Sequence, residues 1–430
     1  MSLSPRAVAL AALIAAIGIV STWNPDVLQA AWKIGAALFL FGLIYEWVIV
    51  QRNRPAVALD DDAPLYLGRR IDAGLAFTNA GGRVLELRYA PALPDGLSGS
   101  IDNRRVMLPP GTTVDRVPAQ AVRLGRTTWG TLPAMLTGPL GLARWSLKLK
   151  LDEELRIIPD TLGNRGTQLA SSDIGTESRT QVGSGMELHH LRPYRRGDAP
   201  SSIDWKATAR SGDLITRVFG EDQHLEIILC LDAGRTSRLE MDGMAQVSHY
   251  VNLAARFAEY AAVAEDRVGL VVFSDRIHEA VQPQRGIKGV RGIRAALTDL
   301  EPRLTESDLT QAALKVRTLA RHRSLVILLT SLYDRGANPA LKRFVSALSP
   351  KHLPIVVGTM SEEVSALADR DADDWFDPYR SLAAQEYRRD LQANAAVLTR
   401  MGAYTVTSRP SVLDSRVMGL YDRLKARHLI

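Results

Sequence analysis

With 430 residues, 46% hydrophobic and 23% charged, the chain is long enough for two or three packed domains. Its single cysteine, Cys230, lies inside the apolar run "LEIILCLD", which excludes an intramolecular disulfide and argues against a reactive thiol. A net charge of +6 would suit nucleic acid or anionic lipid, but both signs of charge interleave along most of the chain, so charge alone marks no binding footprint.

Two apolar runs open the chain, Ala7 to Val20 and Ala30 to Val50, joined by the polar turn "STWNPD". The pattern predicts a transmembrane helical hairpin over residues 1–50. A spanning helix needs roughly 17–25 residues, which the second run supplies and the first reaches if Leu3 to Trp23 is counted. Lys33 and Glu46 fall near the ends of the second run, where long side chains reach the headgroups, and Trp23, Trp32, Tyr45 and Trp47 are placed as interfacial anchors. Arg6 before the first run and Arg52 and Arg54 after the second put both ends on the cytoplasmic side. A cleaved signal peptide is disfavoured by the second run that follows at once. A buried soluble hairpin is disfavoured because neither run keeps a polar face.

From residue 51 to 160 short alternating runs such as "RVLELRYA" and "RWSLKLKLDEELRI", punctuated by Gly, Pro, Asn and Asp, predict a β-rich domain, a small sandwich or barrel. "LTGPLGLARW" reads there as a long inter-strand loop. Residues 161–185 are rich in Gly, Ser, Thr and Asn without an apolar period and read as a linker. Its "GSG" lacks the following Lys-Ser/Thr and the leading strand that a phosphate loop requires.

After His224 near-continuous apolar strands, "LEIILCLD", "RVGLVVFS", "SLVILLTS" and "LPIVVGTM", alternate with helical segments. Such strands belong to a parallel sheet covered on both faces, so the fold class for 186–430 is a doubly wound α/β domain whose crevice opens at the carboxyl ends of its strands. The first strand delivers Asp232 and Thr236 to that crevice, and the fourth delivers Thr330, Ser331 and Asp334.

Between linker and sheet lies "LRPYRRGDAPSSIDWKATAR", Leu191 to Arg210, dense in charges of both signs. Read structurally, Gly197-Asp198 makes a turn, Ile203 and Trp205 alternate with Asp204 on an extended piece, and Trp205 enters the core. Read functionally, the segment is an exposed lip that docks a partner through Arg and Tyr. The two readings are not exclusive. Nucleic-acid binding is disfavoured because Asp198 and Asp204 interrupt the basic patch and no reader motif is present. Catalysis finds no support either: "GxSxG" is absent, the histidines are scattered, and His189-His190 has no third ligand at metal spacing.

These residues resemble the bacterial family called domain of unknown function 58. Its pattern is matched by Glu187, Arg192, Tyr194, Gly197, Asp198, Ile203, Asp204, Trp205, Ala209 and Arg210, with a departure at Ser202, where members often carry Arg. The resemblance implies an α/β part similar to a von Willebrand factor A domain and companionship with MoxR-type AAA+ ATPases. Domains of that kind often hold Mg²⁺ through an Asp-x-Ser-x-Ser loop. Here the loop reads Asp232, Gly234, Thr236, with Asp334 late in sequence, so a metal site would be degenerate and no cofactor is expected. The expectation is therefore a non-catalytic scaffold or adaptor at the bacterial inner membrane, its bulk in the cytoplasm and its partner an AAA+ ATPase. The alternative is a metal-dependent adhesion-type domain using Asp232 and Thr236.

Overall fold

Apolar alternation and apolar continuity give two kinds of sheet in this chain. The computed structural model describes residues 2–23, 25–60, 64–161, 181–221, 224–333, 339–349, 351–369 and 373–427. The chain divides into two units. The first comprises 1–161, 235–255 and 294–304, and the second comprises 162–234, 256–293 and 305–430.

In the first unit β1 (Ser2–Leu3) leads into helix α1 (Pro5–Val20), which turns back as α2 (Pro25–Arg52). Ser4 caps α1 by accepting the Ala7 N–H at 3.1 Å, and Pro5 occupies the first helical position, where a missing N–H costs nothing. The helix has 16 residues, about 24 Å of rise. That is shorter than the Leu3 to Trp23 count, because Leu3 is strand and Ser4 is the cap. Among the described residues one helix, Ala30–Arg52 within α2, is long and apolar enough to cross a membrane, and only 17% of its apolar window is buried in protein. Ile34, Leu38, Leu40 and Phe41 point outward from it. Glu46 departs from the headgroup role expected of it. It is fully buried, and its carboxylate accepts the N–H groups of Leu142 at 3.1 Å and Ala143 at 2.9 Å.

Strands β2 (Ala56–Leu59), β3 (Leu65–Tyr66), β4 (Arg70–Asn79), β5 (Leu85–Tyr89), β6 (Leu97–Gly99), β7 (Arg104–Leu108), β8 (Gly111–Ala121), β9 (Gly125–Thr137) and β10 (Ala143–Ile158) follow. They form a six-stranded sheet, ordered β1-β10-β9-β5-β7 with β3 beside β10, and a four-stranded sheet, ordered β2-β4-β8-β6. Inward residues of both sheets, among them Phe77, Val117, Leu87, Leu132 and Leu149, share one core. Alternation along each strand buries every second side chain, as for sheets with one wet face. The "LTGPLGLARW" segment is not a long loop: β9 runs to Thr137, β10 begins at Ala143, and Gly141 N–H closes the turn onto Gly138 O at 3.1 Å.

In the second unit β11 (Gln181–Pro193) and β12 (Ile215–Glu221) pair as an antiparallel ribbon that encloses helix α3 (Trp205–Ser211). The linker expectation over 161–185 lies largely outside the described residues, and from Gln181 the backbone is already strand. The main sheet uses β13 (Glu226–Asp232), β16 (Arg267–Phe273), β17 (Ile277–Arg285), β18 (Leu325–Leu329), β19 (Leu353–Thr359) and β20 (Tyr404–Ser408), while β14 (Glu240–Met241) and β15 (Met244–Ala245), which belong to the first unit, form a small hairpin. Its order is β17-β16-β13-β18-β19-β20, parallel except for the edge strand β17. Every residue of β13 and β18 is buried, which is why their sequences are apolar without alternation. Helices α4 (Gln246–Val263), α5 (Gly286–Thr298), α6 (Leu309–Leu319), α7 (Pro339–Leu348), α8 (Glu362–Ala368), α9 (Asp377–Arg400) and α10 (Pro410–Ala426) complete the chain. On one sheet face Ile228, Cys230, Val326 and Leu328 pack with Ala313 and Val316 of α6 and Phe344 of α7.

Candidate functional site

The sheet order reverses direction at β13, which is flanked by β16 on one side and β18 on the other. A doubly wound sheet opens its crevice at such a point, outside the carboxyl ends of the strands. Asp232 ends β13 there, buried, and its two carboxylate oxygens are both occupied. Oδ1 accepts from the Gly234 N–H at 2.9 Å and from the Ser307 hydroxyl, while Oδ2 accepts from the Thr330 hydroxyl at 2.6 Å, just past β18. Burial pushes the Asp232 carboxyl above the ordinary aspartate range, against the pull of these three donors.

Beside it, Ser274 at the exit of β16 is fully buried. Its hydroxyl reaches Asp275 Oδ1 at 2.7 Å and His278 Nε2 at 2.6 Å, and accepts from Thr305 at 3.1 Å. A serine hydroxyl has one proton, so if it goes to Asp275 the imidazole must donate to Ser274.

The donor set does not fit the near-octahedral shell of hard oxygens that Mg²⁺ requires. The oxygens of the Asp232 carboxylate at its centre are already satisfied by hydroxyl and amide donors. Where the loop has Gly234, the space is filled by Ser307. Among the described residues no group of three or more His, Cys, Asp or Glu gathers as ligands. Thr236 lies on the short helical turn Arg235–Arg238, and Asp334 is outside the described residues.

The second candidate is the loop between β11 and β12. Glu187 sits on β11 opposite Gly220, and Arg192 opposite Thr216. Gly197, at φ 110°, takes the left-handed conformation that a side chain resists and so turns the chain back. Asp198 holds the turn. It accepts from Arg192 Nη2 at 2.7 Å, from the Arg195 N–H at 2.9 Å and from Thr216 Oγ1 at 3.4 Å, while the Tyr194 hydroxyl donates to its carbonyl at 3.3 Å. The Arg192 guanidinium, helped by the Arg195 amide, holds the Asp198 carboxyl below the usual aspartate range.

Asp204 is a helix cap, accepting the Ala207 N–H at 2.9 Å, and Gly212 at φ 82° ends α3. This overturns the core placement of Trp205. As the first residue of α3 it faces outward, 66% exposed, while Ile203 is buried. Arg195, Arg196, Lys206 and Arg210 of the same loop are also exposed. The loop thus brings Arg192, Tyr194, Gly197 and Asp198 into one bonded turn and sets Trp205 and Arg210 on a separate surface helix.

Sequence reading found Asp232 and Thr330 at the strand exits but missed Ser307 and Thr305. They lie in the aperiodic stretch "RLTES", and their only signal is a run of hydroxyls preceding the Asp308 cap of α6.

Residues 190–371 match the family described as "Protein of unknown function DUF58". No curated protein matches the chain. Among solved structures it is similar to the conserved hypothetical protein BatB from Bacteroides thetaiotaomicron, at 14% identity over 47% of this chain and 99% of that one, TM-score 0.31. It is also similar to an aerotolerance-related membrane protein from Bacteroides fragilis NCTC 9343, at 13% identity over 39% of this chain and 99% of that one, TM-score 0.25. A third similarity is to the SpRpn10 VWA domain, at 12% identity over 45% of this chain and 93% of that one, TM-score 0.28.

Proposed function

We propose that this chain, whose residues 190–371 match the family of proteins of unknown function DUF58, is a non-catalytic, membrane-anchored scaffold or adaptor that docks a protein partner through the β11–β12 loop. The observation that carries this is Trp205, a large aromatic 66% exposed at the start of a capped helix, in a β11–β12 loop that also exposes Arg195, Arg196, Lys206 and Arg210. Trp and Arg are the side chains that dominate binding hot spots, and the excess of cations selects an acidic partner surface. Family resemblance makes that partner an AAA+ ATPase of the MoxR type. The apolar α2 anchors the protein in the bacterial inner membrane, and Arg6, Arg52 and Arg54 set the bulk of the chain on the cytoplasmic side.

The test is affinity capture of the detergent-extracted full chain, with and without chelator and ATP, comparing wild type with Trp205→Ala and Arg195→Glu/Arg196→Glu. Recovery of an ATPase that both variants lose, insensitive to chelator, supports docking by the loop. Capture that survives in both variants but vanishes in Asp232→Ala or on chelation would move the function to the strand-exit crevice.

A further inference from the structure

The turn between β9 and β10 sits against the apolar helix. We infer that this hairpin tip, Met135 to Leu142, is a lipid-inserting wedge that enters the same leaflet as α2 and contacts acyl chains. The inference rests on the reading of α2 as a membrane span.

Four observations within the first unit carry it. No charged side chain occurs between Arg126 and Arg144, although this stretch covers the end of a surface hairpin, where polar residues are the rule. Met135 and Leu140 point outward from the tip, 46% and 51% exposed. The tip lies directly on α2: a Cβ placed on Gly42 would be 3.0 Å from Leu142 Cδ1 and 3.7 Å from Leu140 Cδ1. Gly42 is eight residues before Val50, the last apolar residue of the run, or about 12 Å along the helix axis. Bilayer that surrounds α2 at that level must surround Leu140 as well.

Burial in lipid also requires that backbone polar groups be satisfied internally. Glu46 does this for the tip. Its carboxylate takes the Leu142 and Ala143 N–H groups, the Leu142 carbonyl accepts the Ser4 N–H at 2.9 Å, and Gly141 bonds Gly138. A carboxylate at membrane depth is costly unless it is paired or hydrogen-bonded in this way, so the helix and the tip each remove a liability of the other. Beyond the tip, Arg144 is half-buried on β10, a cation where the headgroups begin.

The full chain, carrying one introduced cysteine at a time, is labelled with an environment-sensitive fluorophore and reconstituted into phosphatidylethanolamine/phosphatidylglycerol vesicles containing lipid spin-labelled on the acyl chain. The native Cys230 is buried, and burial pushes its thiol pKa up, so it stays unlabelled. Leu140→Cys tests the tip, Ile34→Cys tests the helix, and Lys148→Cys on β10 is the aqueous reference. All three sites are exposed, and Met135→Cys serves as a second probe of the tip. The expected result is a blue shift and loss of most emission at Leu140 and Met135 as at Ile34, with neither at Lys148. Quenching at Ile34 with aqueous emission at Leu140 and Met135 overturns the wedge and leaves the span intact. Aqueous emission at Ile34 overturns the span and the wedge together.

Discussion

Gly234 and Ser307 exclude one another's side chains: a Cβ at 234 would overlap the Ser307 hydroxyl and come within 3.0 Å of the Thr305 carbonyl. The glycine lets the 305–307 loop close over Asp232. Gly234→Ser, which would restore the second hydroxyl of an Asp-x-Ser loop, is therefore expected to destabilise the protein by about 1–3 kcal/mol through overpacking. Adding Ser307→Gly should recover part of that loss. Urea denaturation of the two variants checks it, and equal stability of Gly234→Ser and wild type would mean that the loop is free to move aside.

Asp232 makes the stability depend on pH in a defined direction. Its folded pKa is raised, by burial above all, so the native state holds the proton more tightly than the unfolded chain. Stability from this group is complete below the ordinary aspartate pKa and declines as pH rises through the higher folded value. Asp232→Asn should flatten that decline. Denaturation midpoints of wild type and variant across the mildly acidic to neutral range test this, and parallel profiles would remove Asp232 as the source.

Thr330→Val at the same site removes the hydroxyl that donates to Asp232 Oδ2 and leaves that buried oxygen without this hydrogen bond. The cost expected is about 1–3 kcal/mol. A loss of that size in denaturation, absent when Asp232 is already Asn, would show that the hydroxyl acts through the carboxylate.

Much of this was readable beforehand for physical reasons that particular residues make plain. Strands β13 and β18 are buried on both faces, so their apolar continuity marked the sheet, and a polar residue ending such a run, Asp232 or Thr330, had to lie at the strand exit. Ser307 could not be found that way, because it meets Asp232 across 75 positions of sequence from a loop without periodicity. Glu46 was misread for the same reason: its partners, Leu142 and Ala143, come from a turn 96 and 97 positions away. Trp205 is different. The Asp204 cap and the Gly212 stop were both local signals of a short helix, and alternation across "IDW" was the weaker guide.

The turn at Asp198 should lose order when its carboxylate is removed. Asp198→Asn keeps the shape but weakens the bonds from Arg192 and the Arg195 N–H. Faster hydrogen exchange at the Arg195 amide, with exchange in β13 unchanged, is the expected outcome. Because Arg192 holds the Asp198 pKa down, the wild-type turn should keep its order above the usual aspartate pKa and lose it as pH falls through the lower folded value.

The C-terminal helix is held by a buried charge. Asp266 is fully buried, and it accepts the Leu225 N–H at 3.0 Å, the Tyr421 hydroxyl and, on both oxygens, Lys425 Nζ at 2.9 Å. Burial, with the Asp266 charge beside it, pushes the Tyr421 phenol well up, so this hydroxyl remains a donor through the alkaline range. Among the described residues Lys425 is the cation bonded to Asp266, and removing it leaves the carboxylate in low dielectric with the Leu225 N–H and the Tyr421 hydroxyl as its bonded donors. Lys425→Ala is expected to cost about 3 kcal/mol, at the lower end for broken buried pairs because the ammonium is partly exposed. Asp266→Asn together with Lys425→Ala should cost less than the sum of the single changes, since the double variant buries no unpaired charge. Additive losses would mean that Lys425 contributes through packing of its stem along α10 and not through its charge.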